Sequence, residues 1–114
     1  MHFEQIAEHG GASGIRDPGL LDSALARPLN LWAYASPTLF ELAASYAFGV
    51  VKNHPFVDGN KRTAFLSAYL FLRLNGWRLI ASHDDAVRMV LSLAAGDLDE
   101  FEFAQWLESN SEAT

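Results

Sequence analysis

The 114-residue chain contains no cysteine. That absence excludes a disulfide framework, a thiolate zinc site and a cysteine nucleophile, and a cytoplasmic protein fits it most simply. Bases are also scarce: 8 Lys and Arg stand against 14 Asp and Glu, for a formal charge of −6. Such a deficit excludes the broad basic footprint of a direct nucleic-acid binder or of a protein held on an anionic membrane. Long apolar runs are missing too; the longest reach about ten residues, where a bilayer crossing needs about twenty. The opening residues, Met1-His2-Phe3-Glu4, lack the basic and apolar regions of a signal peptide. Valine and isoleucine are few, and no stretch alternates apolar and polar residues with the period of a strand.

What the chain does have is alanine, leucine and phenylalanine, with 50% of its residues apolar. A chain of this size buries roughly two thirds of its unfolded surface, so a core without staples is feasible. Helical spacing predicts an all-α bundle of about six helices in a single domain over residues 1–114. Phe3, Ile6 and Ala7 mark a first, short helix ended by Gly10-Gly11. Asp17-Pro18-Gly19 reads as a turn, and a short helix over Leu20 to Ala26 is closed by Pro28. Residues 28–37 read as irregular, with Trp32 and Tyr34 packed on the core or clamping a peptide, packing being favoured. Thr38-x-x-Glu41 is a capping box ahead of a helix over Leu42 to Val51. After a loop, Asn60 is a fitting N-cap for a helix through Leu74 that is apolar on nearly all sides, which predicts a central, buried position. Trp77 to Ala81 reads as an extended link. Ser82-x-x-Asp85 and Asp97-x-x-Glu100 then cap the last helices, and the polar tail from Glu108 is expected to fray.

The loop His54-Pro55-Phe56-Val57-Asp58-Gly59-Asn60-Lys61-Arg62 concentrates the chemistry. It sets a histidine, a carboxylate, a glycine and a pair of cations at the start of a helix. Such a start offers free backbone N–H groups and partial positive charge, suited to phosphate. Glycine allows close backbone approach to a ligand. Lys61 and Arg62 add full charges, arginine as a planar fork and lysine as a point charge. Asp58 is the residue type that holds Mg²⁺ together with substrate phosphates. His54 is the type that takes a hydroxyl proton near neutral pH. On these residues alone, an anion site and a purely structural loop both stand. His2, His9 and His83 show no metal-site spacing with His54 and read as surface residues. Trp77 and Trp106 read as packing residues. Arg73 and Arg78 read as solvated helix-end cations, and Asp97, Asp99, Glu100 and Glu102 as a solvated acidic face.

The nine-residue run from His54 to Arg62 closely resembles the signature of the Fic family, and more narrowly that of its death-on-curing (Doc) toxin branch. The likeness extends to His9-Gly10-Gly11, to residues 14–21 and 23–28, and to Phe71-Leu72-Arg73-Leu74-Asn75-Gly76. It implies a Fic-like bundle with a central helix after the motif loop, a possible small flap over residues 28–37 that docks the target, and an N-terminal helix that is short or truncated here. It implies ATP and Mg²⁺ as cofactors, His54 as general base, Asp58 as the Mg²⁺ ligand, and Gly59, Asn60, Lys61 and Arg62 as the anion cradle. Phe56 would anchor the loop in the core, with Pro55 and Val57 serving shape and packing. Most AMP-transferring Fic proteins have glycine where Lys61 stands and a second arginine where Phe65 stands. In the Doc branch that the chain resembles, a lysine at the place of Lys61 goes with a reversed nucleotide and transfer of the γ-phosphate, which implies phosphorylation of a threonine of elongation factor Tu and a block of protein synthesis. Leu66 is a further departure, at a place one turn into the helix where a polar residue is associated with Doc toxins. The alternatives are an AMP-transferase using the same His54, or a nucleotide- or peptide-binding module without turnover.

No serine or threonine is followed four residues later by glutamate, as the self-inhibitory helix of many Fic proteins requires. The resemblance therefore implies a separate antitoxin that inhibits in trans. Charge also divides along the chain: −3 over residues 1–51, +4 over 52–78 and −7 over 79–114. The acidic total conceals a basic segment centred on the motif.

Overall fold

A computed structural model describes residues 15–54 and 59–114. Its elements in chain order are α1 (Pro18–Tyr34), α2 (Leu39–Asn53), α3 (Asn60–Leu74), β1 (Trp77–Leu79), α4 (His83–Ala95), α5 (Glu100–Ser109) and β2 (Ser111–Ala113). The all-α expectation holds, with five helices among the described residues rather than about six. The short helix expected near Phe3 to Ala7, His2 and His9, and Pro55, Phe56, Val57 and Asp58 lie outside the described residues.

Local capping signals translate directly. Thr38 accepts from the Glu41 amide while the Glu41 carboxylate accepts from the Thr38 amide, so α2 starts on a full capping box. Ser82 accepts from the Asp85 amide at the start of α4. The cap of α5 is two residues later than expected. Gly96 closes α4 at φ 85°, and the amides of Asp97 and Leu98 both return to the Ser92 carbonyl. Asp97 is thus spent on ending one helix, and Asp99 with Glu102 begins the next.

Residues 28–37 depart from expectation, and with them the flap. Asp17 is an N-cap that accepts from the Gly19 and Leu20 amides, Pro18 takes the first turn, and α1 then runs to Tyr34 with Pro28 inside it. A proline within a helix removes the bond to the carbonyl four residues back, here that of Ala24. That carbonyl faces Gly49 of α2, and both Ala24 and Pro28 are buried in the contact. Burial of this face sustains the helix through the proline. Several of its apolar side chains are left uncovered: Leu29 and Trp32 are each 67% exposed and Tyr34 89%. The favoured packing role for Trp32 and Tyr34 is therefore incorrect.

The tail also differs. Instead of fraying from Glu108, the chain continues α5 to Ser109 and lays β2 antiparallel on β1, Trp77 opposite Ala113 and Leu79 opposite Ser111. The Thr114 amide bonds the Gly76 carbonyl and the Ile80 amide the Asn110 carbonyl, so tail and link satisfy each other's backbone groups. Arg78 pairs with Glu112 across the strands rather than being merely solvated. The acidic face is partly engaged as well, since Glu100 meets Arg27 of α1 at 2.5 Å.

The enclosed position belongs to α2, whose Phe40, Leu42, Ala43, Ala44, Ser45, Ala47, Gly49, Val50 and Val51 are all buried. It packs against α1, α3, α4 and α5. Its alanines and glycine keep it thin enough for neighbours on several sides. The helix after the motif, α3, instead buries one stripe, Thr63, Ala64, Ala68 and Leu72, and leaves Leu74 exposed. Phe103, Leu93 and Leu107 complete the core from α4 and α5. Trp77 packs edge-on against Phe40 at 5.1 Å, and Trp106 lies 5.6 Å from Phe103, as packing residues should.

Candidate functional site

The central helix α2 ends at the motif and α3 begins just past it, so two packed helices bracket the loop. His54 caps α2 in the left-handed conformation, φ 48° and ψ 55°, its amide bonded to the Val50 carbonyl. Among the described residues it is the sole non-glycine with positive φ. Helices commonly end on such a residue, but it is usually glycine, because a side chain there costs about 1–2 kcal/mol. A costly conformation retained at a histidine is an observation that points toward function rather than stability. His54 is also exposed, as a group that meets an outside hydroxyl must be.

At the other end of the loop the N-cap of α3 is Gly59, not Asn60; it has φ 79° and no side chain to cap the helix. Asn60 is instead the first helical residue. Glycine here serves the sharp entry into the helix, and having no side chain it caps none of the first-turn amides itself; a helix start of this kind suits an anionic ligand. Lys61 and Arg62, both exposed, follow in that turn. One position on, the Thr63 hydroxyl is buried and has no hydrogen-bond partner.

Four of the expected site residues, Gly59, Asn60, Lys61 and Arg62, are thus consecutive at the start of α3, and His54 closes α2. Asp58, expected to hold Mg²⁺, lies outside the described residues. Among the described residues no three His, Asp or Glu side chains group as a metal site. A single carboxylate is nonetheless what Mg²⁺ needs when substrate phosphates supply the rest of its shell, and the cationic, glycine-led start of α3 fits such phosphates.

A cavity of about 500 Å³ opens between α3 and α4 beside this turn. Phe65, Leu66, Val87 and Leu91 contribute apolar lining, and Lys61, Arg62 and His83 line it too. Sequence reasoning missed this feature and read His83 as an isolated surface residue. Its signal was there in part: Val87 and Leu91 are one turn apart and both are exposed, an apolar pair facing no core. Phe65 and Leu66, the departures from the family pattern, form the facing side. What periodicity could not supply is that α4 folds back beside α3.

Arg16 was missed altogether. Its Nε donates to the His54 carbonyl at 2.8 Å and its Nη2 to the Asn53 carbonyl at 2.9 Å.

The model of the Fic/DOC family matches residues 1–72, which includes the whole motif. The chain belongs to the Fic/DOC family. Within that family it is similar to the protein named Toxin Doc of Mycolicibacterium smegmatis, 46% identical over 78 residues, covering 66% of this chain and 59% of that protein. It is also similar to the protein named Protein kinase doc of Escherichia phage P1, 37% identical over 99 residues, covering 86% of this chain and 78% of that one. The chain therefore spans about three fifths of the Mycolicibacterium protein it matches. No helix among the described residues is long and apolar enough to cross a membrane.

Proposed function

We propose that this Fic/DOC protein is a Doc-like toxin. It transfers the γ-phosphate of ATP to a threonine or serine hydroxyl of a translation factor, elongation factor Tu, in the cytoplasm, and a separate antitoxin restrains it. The observation that carries the reading is the pair of helix ends around the motif: a strained, exposed His54 on one side and, on the other, a glycine-led helix start with Lys61 and Arg62 exposed in its first turn. The names of the Mycolicibacterium and phage relatives, toxin and protein kinase, support the toxin class and the kinase reaction.

In-line phosphoryl transfer asks a protein mainly for positioning and charge neutralisation. The target hydroxyl oxygen forms a bond to the γ-phosphorus as the bond from that phosphorus to the β-bridging oxygen breaks, and ADP leaves. The hydroxyl proton passes to an imidazole nitrogen of His54, acting as general base. Gly59 and Asn60 bring backbone N–H groups to the phosphates, and Lys61 and Arg62 add charge. Asp58 would hold Mg²⁺ against the same phosphates, which supplies further neutralisation. The apolar cavity of Phe65, Leu66, Val87 and Leu91 offers a surface for the uncharged end of the nucleotide.

Lys61 and Phe65 favour this reading over AMP transfer: a long cation stands where that reaction's family pattern has glycine, and an aromatic ring stands where it has arginine. The test is incubation with elongation factor Tu, Mg²⁺ and ATP labelled at the α- or the γ-phosphate. Label is expected to move from the γ position alone. Transfer from the α position alone would establish AMP transfer instead, and transfer from neither would leave a binding module. Addition of the antitoxin, whose gene is expected beside this one, should stop the transfer.

A further inference from the structure

We infer that Arg16 is a positioning residue for His54, a clamp that holds the histidine's backbone in the left-handed conformation. The inference rests on the proposed general-base role only for its effect on turnover; the clamp itself is a statement about geometry.

The last carbonyls of a helix have no partner within it and carry the negative end of its dipole. In α2 the Val50 carbonyl is taken by the His54 amide, while those of Asn53 and His54 point past the helix end. Both are taken by a single guidinium fork, Arg16 Nε on His54 and Nη2 on Asn53. A planar fork that grips consecutive carbonyls fixes the orientation of the peptide planes on each side of His54 in a way that a point donor cannot.

Arg16 is itself held. It directly precedes Asp17, whose carboxylate caps α1 through the Gly19 and Leu20 amides. The Leu20 carbonyl in turn accepts from the Asn53 side chain at 3.0 Å. The start of α1 and the end of α2 are therefore tied by three hydrogen bonds, two of them from Arg16. Since α1 is seated on α2 through Ala24 and Gly49, the clamp transmits the position of the packed helix pair to His54, whose backbone is strained. Among the described residues, no other donor engages the His54 carbonyl.

The test uses the full chain with Arg16→Ala and Arg16→Lys, by NMR and by the labelled-ATP assay. In the wild type, His54 should give the strong intraresidue amide–Hα contact that positive φ produces. In Arg16→Ala that contact should weaken, and the His54 amide should exchange about tenfold or more faster. Amides of Leu93, Phe103 and Leu107 should keep their protection. Turnover should fall about 10- to 100-fold, as expected for a misplaced base, while KM for ATP changes less than about threefold because Lys61 and Arg62 are untouched. Arg16→Lys keeps the charge but only one bond, and should recover part of both effects. If Arg16→Ala fails to fold, Arg16→Lys alone decides by the same readings. Unchanged His54 signals overturn the clamp even if turnover falls, as does turnover within about twofold of wild type. If the wild type transfers no phosphate, the proposed function fails and the NMR readings alone judge Arg16.

Discussion

Replacing Gly49 by alanine tests the close seating of α1 on α2. An added Cβ would lie 2.9 Å from the Ala24 carbonyl oxygen, 3.1 Å from its Cα and 3.2 Å from its Cβ. Favourable carbon–carbon contacts lie at about 3.5–4.0 Å, so the helices must part by a few tenths of an ångström. The closest atoms are backbone, which no rotamer change can move aside. Overpacking of this kind costs about 1–3 kcal/mol, and the better helix propensity of alanine returns about 0.8–1.0 kcal/mol. Unyielding backbone puts the cost in the upper part of the overpacking range, about 2–3 kcal/mol, so the net destabilisation should be about 1–2 kcal/mol, which for a domain of this size lowers Tm by roughly 4–8 °C. Thermal unfolding followed by circular dichroism at 222 nm measures it. Because the obstruction is the Ala24 backbone, adding Ala24→Gly should not restore stability. A Tm equal to or above wild type, or full rescue by Ala24→Gly, would refute the backbone contact.

Other perturbations follow from the same geometry. His54→Gly should abolish phosphate transfer yet raise stability by about 0.5–1 kcal/mol in urea unfolding, the left-handed penalty outweighing glycine's chain entropy; a less stable variant would mean the side chain has contacts that offset its strain. Thr63→Val removes a buried hydroxyl without a partner and should leave stability unchanged or raise it by up to about 1 kcal/mol, whereas a loss beyond that would reveal a bond to that oxygen. Phe103→Ala, at a fully buried ring, should cost about 3–5 kcal/mol, and a loss under about 1 kcal/mol in the same unfolding experiment would contradict its central place. Lys61→Ala should weaken ATP binding in calorimetry with Tm almost unchanged, as its side chain is exposed; unaltered affinity would remove Lys61 from the cradle.

Much of the fold and of the site is local chemistry, and local chemistry is legible. Thr38 with Glu41 and Ser82 with Asp85 satisfy helix starts within a few residues, so their hydrogen bonds are implied by spacing alone. Pro28 misleads for a physical reason: its breaking tendency is an argument about one lost hydrogen bond, and the burial that outweighs it comes from α2, a distant segment. The tail misleads similarly, since residues 111–113 carry no strand signal and acquire order only from pairing with residues 77–79. At the site, His54 and the run Gly59 to Arg62 stand out by type and spacing, whereas Arg16 does not, because an arginine 38 positions away is unremarkable until the ends of α1 and α2 meet.

Composition and order thus settle the all-α class, the helix starts at Thr38 and Ser82 and the residue content of the motif, because each depends on neighbours along the chain. Tertiary structure decides which helix is central, where the apolar cavity opens and what holds His54. Those outcomes depend on contacts between segments: small residues let α2 sit in the middle, α4 folds beside α3 to enclose the cavity, and the fork of Arg16 reaches carbonyls that periodicity cannot place beside it. The deciding strain is of the same kind. A positive φ at a histidine is written in no sequence pattern; it is visible only where the end of one packed helix must turn into the loop that leads to the next.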